Sequence, residues 1–221
     1  MKKIVSISVT ALCLALLSNV ALAALPGMYA GAGIGLSKQL TSTDFIFNSS
    51  PVGTTLEQSR QNGGLGGRVF AGFNFNEYFG LEGSYARFND SEYKSTITSP
   101  VSTYVANLDY TMNTYNLVGK AYLPLGETRN FNLYALGGVA YVNSQSDLKE
   151  TINNVTISKD SVTNNKFRPV YGLGASYDIP ASNVTTNLEF SHTQGLGNVN
   201  TSSTAIPDAN MLTFNVAYNF G

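Results

Sequence analysis

The sequence predicts an all-β chain: an eight-stranded antiparallel up-and-down barrel that crosses a membrane. Three observations predict it. Large apolar residues alternate with small or polar ones in recurrent segments, as in "LTFNVAYNFG" at 212–221, where Leu212, Phe214, Val216, Tyr218 and Phe220 share one face. Charged residues form only 12% of the chain, about half the share usual in a soluble domain. The connections between segments alternate strictly between short and long, which sorts the short ones to one end and the long ones to the other.

The chain opens with an export label. Lys2 and Lys3 precede an apolar stretch from Ile4 to Leu17, and Ala21-Leu22-Ala23 supplies the small residues that signal peptidase reads. Residues 1–23 are therefore expected to be a cleaved signal peptide and 24–221 a single barrel domain. The one cysteine, Cys13, falls inside the label, so a disulfide framework or a thiol nucleophile in the mature chain is excluded. Removing Lys2 and Lys3 from the 13 basic residues leaves 11 against 14 acidic ones, a net charge of about −3. That balance offers no clustered basic footprint for nucleic acid. After the label no apolar run reaches the length of a helical span of about 18 residues.

The elements follow in order. The first strand, Tyr29 to Ser37, carries Ala30, Ala32, Ile34 and Leu36 on one face and Gly31, Gly33 and Gly35 on the other. The second, 64–75, shows Leu65, Val69, Ala71, Phe73 and Phe75; after a tight turn at Asn76-Glu77 the third continues with Phe79, Leu81, Gly83 and Tyr85. The fourth, 110–123, shows Tyr115, Leu117, Ala121 and Leu123, whereas the fifth, 131–142, is apolar on both faces and cannot be oriented from its pattern. The sixth, 167–177, sets Tyr171, Leu173, Ala175 and Tyr177 against Gly172, Gly174 and Ser176; the seventh, 184–192, sets Val184, Leu188 and Phe190 against Asn187, Glu189 and Ser191. The eighth is the closing stretch. Short connections fall at 76–77, 124–130 and 178–183; long ones, rich in Ser, Thr and Asn, fall at 38–62, 89–107, 143–166 and 193–209.

Lipid satisfies no free backbone N–H or C=O, so a sheet that spans it must close on itself. Short periplasmic turns and long external loops are the pattern of outer-membrane barrels. A secreted soluble sandwich is the competing architecture, but it would place Lys, Glu and Asp on the solvent face, whereas here the face opposite the large residues is small and mostly uncharged. Aromatics near both strand ends fit two interfacial girdles: Tyr78, Phe79, Tyr122, Phe131, Tyr177 and Phe220 by the short turns, and Tyr85, Phe88, Tyr110, Tyr141, Phe167 and Tyr171 toward the long loops. The loops, such as "SEYKSTITSP" at 91–100, are expected to be exposed polar surface, where function in such a scaffold resides. Phe45, Ile46 and Phe47 form an apolar cluster in the first loop that either folds back or meets a partner.

"YAGAGIG" at 29–35, "AGFNFNEYFGLEGSY" at 71–85, "NLVGKAYLPLG" at 116–126, "LYALGGVAY" at 133–141 and "YGLGASYDI" at 171–179 resemble the small eight-stranded outer-membrane barrels, among them the transmembrane domain of outer membrane protein A and the opacity-type surface proteins. The resemblance covers nearly all of the mature chain and is one of style more than of fixed motif. It implies a bacterial outer-membrane location, contact with outer-membrane lipid and lipopolysaccharide, and an external ligand or host surface met by the loops. It also implies recognition of the closing strand, Leu212 to Phe220, by the barrel-assembly machinery, with one departure: Gly221 follows the aromatic residue that commonly ends the chain. No cofactor or metal site is implied.

Five charged residues point inward by parity: Arg68, Glu82, Lys120, Arg168 and Glu189. A bare charge in a narrow lumen is costly, so each is expected to be paired or hydrated. Counting from the inner turns places Glu82, Lys120, Arg68 and Glu189 roughly 16–30 Å up their strands. That spread predicts an ionic cluster of two to four of them, with Arg168 higher and solvated. Such a cluster either plugs the lumen or gates a path for small solutes or ions. His192 is the only histidine, and lipid-modifying barrels use a histidine near the outer rim. A triad, however, requires a serine and an acid within reach. Here Ser191 and Glu189 point to the opposite face and Gln194 occupies the position where a deacylase serine is expected. The expected protein is therefore a non-enzymatic barrel that presents its outer surface, with a gated channel as the alternative.

Overall fold

The computed structural model describes residues 26–40, 53–125, 130–195 and 206–220. The expected signal peptide, the Phe45–Phe47 cluster, part of the turn at 124–130 and the centre of the fourth loop lie outside the described residues. The described chain forms ten strands: β1 (Gly27–Leu40), β2 (Thr55–Gln61), β3 (Gly63–Asn74), β4 (Phe79–Arg87), β5 (Ser91–Thr98), β6 (Thr103–Leu125), β7 (Phe131–Ile152), β8 (Val155–Asp178), β9 (Val184–Thr193) and β10 (Asp208–Asn219). Every pairing between them is antiparallel, in the order β2-β5-β6-β4-β3-β1-β10-β9-β8-β7, and β6 also pairs with β7. That last pairing closes a ring of eight strands: β1, β3, β4, β6, β7, β8, β9 and β10.

The register fixes the shape of the ring. From Phe73 the cross-strand partners run through Leu81, Gly119, Gly137, Tyr171, His192, Asn210 and Lys38, and return to β3 at Gly63. One circuit thus displaces the register by about ten residues, and with ~3.3 Å per residue and ~4.8 Å between strands this requires a tilt of about 41°. Large side chains cover the outside: Leu65, Leu173, Phe214 and Phe167 are among those more than half exposed. Projected on the barrel axis, this apolar band extends from Leu65 to Phe220 over about 26 Å, the height of a bilayer core crossed by tilted strands.

The long loops expected at 89–107 and 143–166 are instead largely strands, and the one expected at 38–62 contains β2. β2 runs straight into β3 and β4 into β5, with breaks only at Asn62 and at 88–90, while β6, β7 and β8 continue far past the apolar band. β5 pairs with β6 from Ser91↔Tyr110 to Thr98↔Thr103, and β7 pairs with β8 up to Ile152↔Val155. The result is a five-stranded sheet, β2-β5-β6-β7-β8, that projects from one side of the barrel by about 25–30 Å. Its tips are tight turns. Asn153 and Asn154 take φ of 47° and 67°, the left-handed pair that a two-residue hairpin needs. Ser99 N–H bonds Ser102 C=O at 2.8 Å across Pro100. At the other end the short turns at 76–77 and 178–183 stand as expected, the first held by Asn76 Oδ1 accepting from Tyr78 N and Phe79 N at 2.8 and 2.9 Å.

The girdles need one correction. Phe88 and Tyr110 are 3% exposed, and Tyr122 packs against the interior cluster, so these three rings face inward. Three rings of the upper group, Tyr85, Tyr141 and Phe167, join Tyr115 in a ladder across four strands, Tyr85–Tyr115–Tyr141–Phe167, each directly opposite the next, with centroids 5.2, 6.5 and 5.1 Å apart.

Candidate functional site

The lumen is filled in three layers. At the periplasmic end Asn132 Nδ2 donates to Asp178 Oδ2 at 3.2 Å, Thr185 Oγ1 donates to Asp178, and Asn219 Nδ2 donates to Thr185 Oγ1 at 2.9 Å. Toward the outside lies an apolar layer that includes Phe88, Met112, Val118, Leu136, Val142 and Met211. The face opposite the lipid is therefore polar over only part of its height. This explains the unorientable fifth strand: in β7, Leu136 and Val142 serve the apolar lumen while Leu133 and Val139 serve the lipid.

Between these layers sit the predicted charges. β3 supplies Arg68, β4 Glu82, β6 Lys120 and β9 Glu189, and all four are at most 8% exposed. They form a closed ring of alternating sign. Arg68 bonds Oε1 of Glu82 through Nη2 and Oε1 of Glu189 through Nη1. Lys120 Nζ reaches Oε2 of Glu82 at 2.6 Å and Oε2 of Glu189 at 3.1 Å. Each carboxylate also accepts a phenol: Tyr29 O–H on Glu82 Oε2 at 3.0 Å and Tyr134 O–H on Glu189 Oε2 at 2.9 Å. The faces of Phe70 and Tyr134 complete the cage, with the Arg68 guanidinium 4.9 Å from the Phe70 centroid and Lys120 Nζ 4.9 Å from that of Tyr134. Two cations face two anions, so the buried assembly is neutral, the condition under which buried charge is tolerable.

Counting along strands overstated the spread of these four residues because it ignored the stagger. Once the tilt is included, their Cα positions span about 9 Å along the axis, within reach of Arg, Lys and Glu side chains. Arg168 does not join them. Its Cα lies about 12 Å further out than that of Glu189 on the same projection. It makes no ion pair among the described residues, and its buried Nε has no hydrogen-bond partner.

Sequence reasoning missed the tyrosines, although the signal was present. Tyr29 pairs directly with Gly72, Phe70 with Gly31, and Tyr134 with Gly174. A Cβ on any of these glycines would overlap the ring opposite. The inward glycines are thus seats for rings that lie flat against the neighbouring strand. Cavities of about 30 Å³ and 20 Å³ flank the ring of charges, one touching Lys120 and the other Arg68 and Glu189; each is large enough for a water or two by volume.

His192 lies on the outer face. Its ring is 5.0 Å from that of Tyr171, its Nδ1 is 2.6 Å from Asn210 Oδ1, and its Nε2 is 4.0 Å from Asp208. The neighbouring Ser191 projects to the other side of the sheet and lines the lumen, so no serine–histidine pair forms there.

Known proteins agree with this geometry. The family model described as "Outer membrane protein beta-barrel domain" matches residues 9–220. An uncharacterized protein of Coxiella burnetii is 27% identical over 212 residues, covering 86% of this chain and 82% of that one. Outer membrane protein A of Salmonella typhi is 31% identical over 194 residues, 87% of this chain but 48% of its own, so this chain spans about half that relative's length. Among solved structures, Neisserial surface protein A aligns with a TM-score of 0.54 at 16% identity, over 88% of this chain and 97% of its own. The outer membrane protein OprG from Pseudomonas aeruginosa gives 0.51 at 13% over the same shares. Both share the fold. The closed, tilted eight-stranded ring with its lipid-height apolar band and the match over 9–220 place this chain in the outer-membrane protein β-barrel family, in the bacterial outer membrane.

Proposed function

We infer that this protein is a non-enzymatic surface barrel whose work is done by the sheet it holds outside the membrane, as an adhesive surface for an external ligand or host. One observation carries this: β2, β5, β6, β7 and β8 continue as a paired sheet well beyond the apolar band, with β8 exposed at nearly every residue from Val155 to Ser161. A barrel that only spanned the membrane would need no such extension. The network of charges supports the display role by making the base rigid.

Asn143 and Asn165 face each other at the foot of the β7–β8 projection. Joining them by a two-residue turn removes the hairpin and leaves the membrane ring intact. Cells carrying the trimmed barrel are expected to adhere several-fold less to epithelial monolayers than cells carrying the full one. Equal adherence, with both barrels folded and exported, would reject the display role.

A gated path for small ions is the second reading, favoured by the cavities on either side of the charge ring. The apolar layer argues that the resting state is closed. Planar-bilayer conductance of the refolded protein, with and without Glu82→Ala, separates the readings; no conductance above the empty bilayer in either form ends the channel idea.

A further inference from the structure

Of the five inward charges Arg168 alone stands outside the ring, and its surroundings differ from those of the other four. β8 puts Arg168 and Lys166 on the face that lines the lumen, directly opposite Ala140 and Val142 of β7, both 0% exposed, with Val170 two residues below. The Arg168 stem thus rises through the apolar layer, and its partly exposed head reaches the outer mouth beside exposed Lys166. Among the described residues neither cation forms an ion pair, and Arg168 Nε is buried with no hydrogen-bond partner. No carboxylate shares this stretch of the inner face. The next inward positions are Asn164 and Val162 on β8 and Ser144 and Ser146 on β7. Asp160 lies about 20 Å from Lys166 along the strand, and Glu189 is engaged in the ring.

Water can satisfy Nε but leaves the charge uncompensated, and an unpaired cation beside apolar walls is costly. A halide neutralises the charge through a single contact. An oxyanion does both, because two oxygens of one group meet two N–H donors of a guanidinium in the paired geometry of an Arg–carboxylate or Arg–phosphate bond. The flexible Lys166 ammonium is free to take a further oxygen. We propose that Arg168 and Lys166 form an oxyanion site at the outer mouth of the lumen, which takes the carboxylate or phosphate group of a small external solute. The site faces the lumen rather than the lipid, and it depends neither on adhesion by the projecting sheet nor on conduction through the ring.

The refolded full-length barrel, isotope-labelled and held in a maltoside detergent whose headgroup carries no oxyanion, is titrated with sodium acetate and with sodium phosphate at constant ionic strength. Nuclear magnetic resonance follows the arginine Nε–H signals, and the Arg168 signal is assigned by its loss in Arg168→Gln. That signal is expected to move to a plateau with at least one of the two oxyanions, and the tighter of them names the group preferred. The Arg68 signal should stay in place, and sodium chloride alone should give no plateau. Lys166→Gln should weaken the affinity about tenfold, the scale of one charge-assisted bond, whereas Lys94→Gln, a cation on the projecting sheet, should leave it unchanged. Retention of the heat-dependent gel shift in each variant shows that the barrel itself is intact. No plateau with either oxyanion, or an equal response to chloride, would overturn the proposal. So would unchanged affinity in Lys166→Gln, or an equal loss in Lys94→Gln, which would mean diffuse attraction to surface charge.

Discussion

Glu82→Gln tests the ring of charges most directly. The substitution is nearly isosteric, so packing around Tyr29 and Phe70 survives while the anion is lost. Arg68 and Lys120 then share a single carboxylate, Glu189, and one positive charge remains buried without a partner. Stranding a buried charge in this way costs about 3–5 kcal/mol. Lys120→Met alone strands a negative charge and should cost about as much. In the double variant Arg68 still faces Glu189, a neutral pair, so its cost should fall short of the sum of the singles by at least about 2 kcal/mol. The assay is urea unfolding of the barrel refolded into phospholipid vesicles, followed by tyrosine fluorescence, since the chain has no tryptophan, and by resistance to detergent on an unheated gel. Single costs that add to within about 0.5 kcal/mol would refute the shared ring.

Other predictions follow from the same structure. Gly72→Ala and Gly174→Ala should each destabilise the barrel by about 1–3 kcal/mol, because the tyrosine ring opposite must leave its seat; the same urea titration measures it, and Gly137→Ala, where a Cβ meets nothing within 4 Å, should be near neutral. Arg168→Gln should shift the unfolding midpoint far less than Arg68→Gln, since Arg168 stands outside the ring. His192→Ala should leave the lipid A mass spectrum of expressing cells unchanged; a lost or altered acyl chain would instead make the protein an enzyme.

Much of this protein is determined by its sequence alone. The strict alternation along segments such as 212–220 requires strands with two unlike faces, and in lipid, where every backbone group must be bonded, such strands close into a ring. Low charge and the orientation of seven of the eight ribbons follow from the same local pattern. The extent of the strands does not. "TINNVT" at 151–156 contains its own turn signal, Asn153-Asn154, yet polar residues on both faces hide a strand whose two sides meet water. Only the tertiary structure decided that Arg68, Glu82, Lys120 and Glu189 meet while Arg168 does not. Inward parity is a property of each strand by itself, but height in the lumen depends on tilt and stagger, which the whole closed sheet sets at once. The same holds for the tyrosines and their glycine seats, each harmless alone and meaningful only when the register places ring opposite gap.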